Sequence, residues 1–260
     1  MSADPRTPTF RDLADKVVLV TGGSRGIGAA TCAALGANGA RVAVAGRDRD
    51  AVEHTVSETE AAGGQATGVL GDCTDPRQLA AMRDEIERAL GPVDAVAAFA
   101  GGFTARTPLL EISLEEWEYV LKSNLTSSLL TLQAFAPAMI DRGGGAFVLM
   151  SSNAGRFLDI TLTASYAAAK AGVVMLARHA AKELGPANVR VNCVAPATTL
   201  TERVSSIMDE ETRSRIAAMS PLGRLGAPQD SAWAALYLIS DASAWLTGVT
   251  LDIAGGRIML

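Results

Sequence analysis

Cysteine and histidine are scarce in this 260-residue sequence, with three of the first and two of the second. Cys32, Cys73 and Cys193 are scattered and form no CxxC pair, so there is no disulfide framework, and the usage suits a reducing compartment. His54 and His179 are far apart, no metal cluster can be read from them, and no metal is expected. Positive charge is in deficit: 23 Lys and Arg stand against 28 Asp and Glu, a net charge of −5. That balance offers no electrostatic footprint for nucleic acid or for an anionic membrane. No apolar run reaches the roughly 18 residues of a membrane helix. The opening MSADPRTPTFRDLADK is polar and proline-bearing, without the apolar core of a signal peptide. The reading is a soluble cytoplasmic protein whose residues 1–14 form a mobile tail.

What the sequence has is a rhythm. Short β-branched runs alternate with longer helical patterns: strands at 16–22, 41–46, 66–72, 93–101, 145–152 and 189–196, and helices at 26–40, 49–64, 75–91, 113–142 and 164–184. The strands are apolar on both faces, the mark of a parallel sheet covered on both sides by right-handed βαβ units. The predicted fold is α/β, one doubly wound parallel sheet of the Rossmann type over 15–260. Residues 198–226, which mix charge with methionine, break the rhythm and read as a small helical lid.

Two motifs carry chemistry. TGGSRGIG (21–28) follows the first strand and opens the first helix. Gly22 suits a tight turn, Gly26 a close approach of backbone to a pyrophosphate, and Gly28 close packing of helix on sheet. The helix N-terminus adds free N–H groups and positive dipole. SYAAAKAG (165–172) places Tyr166 and Lys170 four apart, hence on one helix face, with alanines leaving room for a flat ligand. Reduction of a carbonyl by hydride needs a proton for the developing alkoxide. Bringing a phenol from about 10 to about 7 takes roughly 4 kcal/mol. An ammonium about 4 Å away, at an effective dielectric near 20, supplies about that much. Tyr166 then serves as acid/base and Lys170 as the group that tunes it. Ser151 and Ser152 end the fifth strand, where a hydroxyl could polarise the carbonyl. Strand alternation favours Ser152 and sends Ser151 to the other face. Its bland alternative is a turn cap.

TGxxxGxG with YxxxK downstream resembles the short-chain dehydrogenase/reductase family, in its single-domain branch that includes the β-ketoacyl reductases. The resemblance runs from about Asp15 to Gly256. It implies a nicotinamide dinucleotide held by Gly22, Ser24, Arg25, Gly26, Ile27, Gly28, Arg47, Asp72, Cys73, Ala100, Gly101, Tyr166, Lys170, Pro196 and Thr199. Asp72 matches an adenine contact, or is a plain turn residue. Asn124 matches an asparagine that binds a water beside the lysine, or is a buried polar side chain bonding backbone. After the second strand, where NAD binders place an acid, this chain has Gly46 and then Arg47. Arg47, with Arg25 in reach, fits a 2′-phosphate and implies NADP(H). The alternative for Arg47 is a surface pair with Asp48 or Asp50.

The chain also departs from the family. Ala98-Phe99-Ala100-Gly101 stands where an NNAG-like tetrad is usual, so the bonds that brace neighbouring strands must come from elsewhere. Ala197 replaces a glycine and Ala254 a frequent aspartate. The expected substrate is a small ketone or secondary alcohol of moderate size. Its pocket is built from 153–163 and the lid, with Phe157, Leu158, Ile160, Leu162, Val204, Ile207 and Met208 making it apolar. Two rival readings remain: an NAD-dependent alcohol or sugar dehydrogenase, and a catalytically silent dinucleotide-binding sensor. The C-terminal LTGVTLDIAGG resembles a strand used in subunit packing, which implies a homo-oligomer, tetramer or dimer.

Overall fold

The computed structural model describes residues 6–103, 105–158 and 162–259. Seven parallel strands among them form one sheet: β1 (Val17–Thr21), β2 (Arg41–Gly46), β3 (Gln65–Leu70), β4 (Ala95–Ala98), β5 (Gly145–Met150), β6 (Val189–Pro196) and β7 (Thr250–Ile253). The spatial order is β3-β2-β1-β4-β5-β6-β7. The order reverses between β1 and β4, so their carboxyl ends flank the crevice where ligands bind in open α/β sheets.

The strands are apolar on both faces because both are covered. Val17 and Leu19 of β1 join one core; Val18 and Val20 join the other. The first core takes side chains from α3 (Pro76–Ala89), α5 (Ser127–Asp141) and α6 (Ala164–Leu184). The second takes them from α1 (Gly26–Gly36), α2 (Arg49–Ala61) and α9 (Pro228–Ile239). The sequence reading had no element for α9, although it packs along α1 and completes that layer.

The single helix expected over 113–142 is interrupted. α4 (Leu114–Leu121) passes through a π-helical turn, Lys122–Thr126, into α5. The extra residue in that turn reorients Asn124, as π-bulges commonly do at functional sites. The excursion at 198–226 holds two short helices, α7 (Glu202–Ile207) and α8 (Glu210–Ala218). Its two ends meet at its base, where the Leu200 amide donates to Gly226 O at 2.7 Å and the Gly226 amide to Thr198 O at 3.0 Å.

The expectation of a mobile tail through residue 14 is corrected. The Phe10 amide donates to Asn38 Oδ1 at 2.7 Å, and the Asn38 side chain donates back to Pro8 O. Leu13 is fully buried in the core beneath α1 and α9. Asp12 accepts from Lys16 and from the Asp241 amide, each at 2.9 Å. A polar, proline-bearing composition masked one apolar anchor with four polar ties. Leu13→Ala is therefore expected to lower stability by about 2–5 kcal/mol in urea denaturation; a mobile tail would leave the midpoint where it was.

A candidate dinucleotide and carbonyl site

The glycine loop lies at the end of β1, with positive φ at Gly22 (64°) and Gly26 (53°). The third glycine of the motif packs rather than bends. A Cβ on Gly28 would fall 2.1 Å from Gly22 O, so the helix can sit this close to the turn only with glycine there. The N-terminus of α1 is left open. α2, α3, α4, α6, α7 and α8 each have a Ser, Thr or Asp side chain on a first-turn amide. α1 has no capping side chain and no acidic residue in its first turn. An uncapped helix start with a backbone-only approach is the donor set that a pyrophosphate requires. The lid closes the other side: a Cβ on Gly26 would come 3.1 Å from Thr201 Cγ2. The residues present fit the group.

The missing NNAG amides have a substitute. Thr21 Oγ1 accepts from both the Phe99 and Ala100 amides at 3.1 Å and so ties the end of β1 to that of β4. Thr21 stands inside the quoted motif, yet sequence reasoning gave it no role. Phe99 packs into the α1/α9 core, leaving Ala100 and Gly101 to face the crevice.

Asn124 holds the next two residues. Its Nδ2 donates to Gly102 O and Val120 O at 3.0 Å, and its Oδ1 accepts from the Gly102 amide at 2.9 Å. Both amide hydrogens are used on backbone. The side chain is fully buried and braces the loop after β4.

The adenosine end holds two arginines of different condition. Arg25, expected to reach the 2′-phosphate, donates to Asp48 at 2.5 Å. Arg47 is exposed at the end of β2, and among the described residues it forms no hydrogen bond or ion pair. Its charge is felt at Asp72 and Cys73. Asp72 Oδ1 accepts from the Thr74 amide at 2.8 Å, and that bond, before the charge of Arg47, holds its carboxyl below the ordinary value. Asp72 is thus at least a turn residue. Pro196 ends β6, and Thr199 is buried where the lid begins.

At the carbonyl end, α6 is clamped to the end of β5. Lys170 Nζ donates to Met150 O at 2.8 Å, and Ser151 Oγ donates to Lys170 O at 2.8 Å. A Cβ on Gly155 would fall 2.4 Å from the Lys170 carbonyl carbon, so the turn after β5 lies directly on the helix. Ser151 is therefore structural, while the Ser152 hydroxyl donates to Asn153 Oδ1 at 3.2 Å and lies close enough to the Tyr166 phenol to lower its pKa. The Ser152 oxygen also accepts from the Ala154 amide at 3.2 Å, as a turn cap does. Tyr166, Lys170 and Ser152 are all buried.

The electrostatics differ from the expectation. Burial pushes the Tyr166 phenol above its ordinary value, against smaller lowering by the Ser152 hydrogen bond and the Arg203 charge. Lys170 is not among the groups that lower it. Its ammonium serves the Met150 carbonyl and lies 5.6 Å from the centre of the tyrosine ring. Burial pushes Lys170 itself down to about 8. In a dry site the cost of holding each charge outweighs their mutual help.

Of the expected substrate lining, Leu162 packs beside Tyr166 and Val120. Phe157, Leu158 and Ile207 are exposed, and Ile160 lies outside the described residues. A recess of about 280 Å³ opens elsewhere, between the lid and β7, lined by Ile216, Leu222, Asp252 and Arg257 among others, and includes neither Ser152 nor Tyr166. Sequence reasoning also missed Arg156, which pairs with Asp252 of β7 at 2.6 Å and anchors the turn after Ser152. Arg203 and Phe103 at the mouth were missed too.

An open parallel sheet with an uncapped glycine-loop helix at its switch point, beside a buried serine, tyrosine and lysine, defines a nicotinamide-dinucleotide oxidoreductase. A family model described as Enoyl-(Acyl carrier protein) reductase matches residues 22–257. The chain is 34% identical over 243 residues to 7alpha-hydroxysteroid dehydrogenase of Escherichia coli (strain K12), covering 94% of each. It is 34% identical over 258 residues to (3R)-3-hydroxyacyl-CoA dehydrogenase of Mus musculus, covering 95% of this chain and 98% of that one. A crystal structure of a 3-oxoacyl-[acyl-carrier protein] reductase with bound NAD from Brucella melitensis superimposes with a TM-score of 0.89 at 31% identity, covering 96% of this chain and 94% of that one. The chain belongs to the short-chain dehydrogenase/reductase family. No described helix is long and apolar enough to cross a membrane.

Two outcomes follow from this geometry. Thr21→Val should cost about 1–3 kcal/mol in urea denaturation by leaving the Ala100 amide short of an acceptor, and Thr21→Ser should recover most of it. The second concerns Lys170, whose folded value of about 8 lies below the ordinary 10.5. The folded state therefore holds fewer protons than the unfolded chain between those values, and its stability rises with pH through that window. Below about 8 the penalty for the buried charge is fully present. Lys170→Met should stabilise the cofactor-free protein by about 1–3 kcal/mol at pH 7, and the gain should shrink by pH 9.5, as read from urea midpoints.

Proposed function

We propose that the protein is an NADP(H)-dependent carbonyl reductase that interconverts a ketone and a secondary alcohol. The observation that carries this reading is the joint burial of Tyr166, Ser152 and Lys170, with the Ser152 side chain close enough to the Tyr166 phenol to lower its pKa and Lys170 on the same helix stripe. A phenol above its ordinary value keeps its proton at neutral pH and is ready to give it to a developing alkoxide. Ser152 supplies a second hydroxyl to the same oxygen. Lys170, charged below about pH 8, would hold ribose hydroxyls with the donors that Met150 O leaves unused. The bound dinucleotide supplies the hydride. The reverse, oxidising direction uses the phenolate as its base. Asn124 acts as a positioning residue that fixes Gly101 and Gly102 beside this centre.

NADP(H) rests on Gly46 where an acid would face the ribose, and on exposed Arg47 beside it. Asp48 does not cancel Arg47, because it is already paired with Arg25. A forked guanidinium free at this place matches a 2′-phosphate. The lid 198–226 would cover the substrate, and the protein would act as a homo-oligomer.

NADPH oxidation over a panel of ketones tests the reading. Tyr166→Phe should lower kcat by about 10²–10⁴-fold while leaving NADPH binding by fluorescence intact. A protein that oxidises no NADPH with any ketone is the silent sensor instead. Arg47→Gln should raise the KM for NADPH by about 10–100-fold and change that for NADH little. Equal effects on both, or a wild type that prefers NADH, would make it an NAD enzyme.

A further inference from the structure

A cation from the lid stands at the mouth of the carbonyl site. Arg203 of α7 donates from Nη2 to Phe103 O at 2.8 Å, and its guanidinium carbon lies 4.7 Å from the centre of the Phe103 ring. The Phe103 ring in turn meets the Tyr166 ring edge to face, with centres 6.5 Å apart. The charge is close enough to act on the Tyr166 phenol. Stacking and one carbonyl fix the plane of the guanidinium while using only one of its five N–H donors.

Three other arginines of this region are neutralised. Arg213 pairs with Glu210 at 3.5 Å, Arg224 with Asp230 at 2.6 Å, and Arg156 with Asp252 at 2.6 Å. Among the described residues Arg203 forms no ion pair. Phe103, on which the guanidinium stacks, belongs to one apolar cluster with Val120, Leu162 and Tyr166. A positive charge that is pre-oriented, unpaired and next to an apolar wall is the arrangement that favours a forked pair with a carboxylate.

We propose that Arg203 determines substrate specificity by binding a carboxylate carried on the substrate, so that the preferred ketone is an oxo acid with an apolar chain. This rests on the carbonyl-reductase reading of Tyr166. The competing role is a latch that holds α7 onto the loop after β4 and is indifferent to substrate charge.

The probes are 4-oxodecanoate and 6-oxodecanoate with their methyl esters, assayed with NADPH on the full chain, wild type beside Arg203→Met and Arg203→Lys. Wild type should prefer at least one acid over its ester. Arg203→Met should raise the acid-to-ester ratio of KM by about 10–100-fold, the loss of a charge-assisted pair, and Arg203→Lys should restore part of it. Added salt should weaken the acid and not the ester. Calorimetric titration of the matching hydroxy acids and hydroxy esters into protein saturated with NADP⁺ reads the same preference without turnover. Turnover with no acid preference, or an Arg203→Met effect equal on acid and ester, overturns the proposal and leaves the reductase reading standing. Absence of turnover with an Arg203-dependent preference for the hydroxy acid sustains the proposal and fails the reductase reading. Absence of both turnover and binding of the acids also overturns the proposal.

Discussion

The structure depends on the clamp between α6 and the end of β5. Lys170 Nζ on Met150 O, Ser151 Oγ on Lys170 O and the bare Gly155 backbone against Lys170 all act within one helical turn. They fix the helix in rotation and in height. Tyr166, one turn before Lys170, then has a single place to be, facing Ser152. Arg156 extends the clamp to β7 through a largely buried, two-pronged pair with Asp252. A site of this kind needs sub-ångström placement, and rigid elements supply it better than loops. The opposite wall obeys the same logic: Thr21 and Asn124 hold the strand-to-loop turn after β4 by its amides and carbonyls rather than by side-chain packing.

Burial governs how the catalytic groups are charged. The YxxxK spacing suggests that the ammonium acidifies the phenol. In the folded protein both groups are driven toward neutrality, tyrosine upward and lysine down to about 8. The Coulomb attraction invoked at a moderate dielectric is the same attraction, but desolvation enters with the opposite sign and is the larger effect. A site that keeps its phenol protonated is a proton donor at rest. Its lysine sits near the pH at which its own charge is lost, so cofactor and substrate charges have leverage over it.

Much of the fold could be read locally. Strands such as Val17–Thr21 and Val189–Pro196 are apolar on every residue or nearly so, which only a doubly covered sheet explains. The helix over Ala164–Leu184 has the bounds expected of it. The glycine loop was legible because each glycine answers to a turn or a contact a few residues away. What was illegible involves partners distant in sequence. Phe103 and Arg203 are 100 positions apart, and Thr21 reaches 78 residues to the Phe99 amide. Leu13 looked like tail because its pocket is made by α1 and α9, and α9 itself was not anticipated. The π turn at Lys122–Thr126 left no mark that a periodicity of 3.6 could reveal.

The sequence alone therefore determined the class of fold, the glycine-loop helix and the candidate residues for the chemistry, because each depends on spacing within one or two turns of chain. Tertiary structure decided how those residues are charged and paired, and what completes the mouth of the site. It gave Asp48 to Arg25 rather than to Arg47, placed Asn124 on backbone, raised the phenol and brought Arg203 over Phe103. The reason is physical: propensity and periodicity act between neighbours along the chain, whereas desolvation and ion pairing depend on everything that packing brings within a few ångströms.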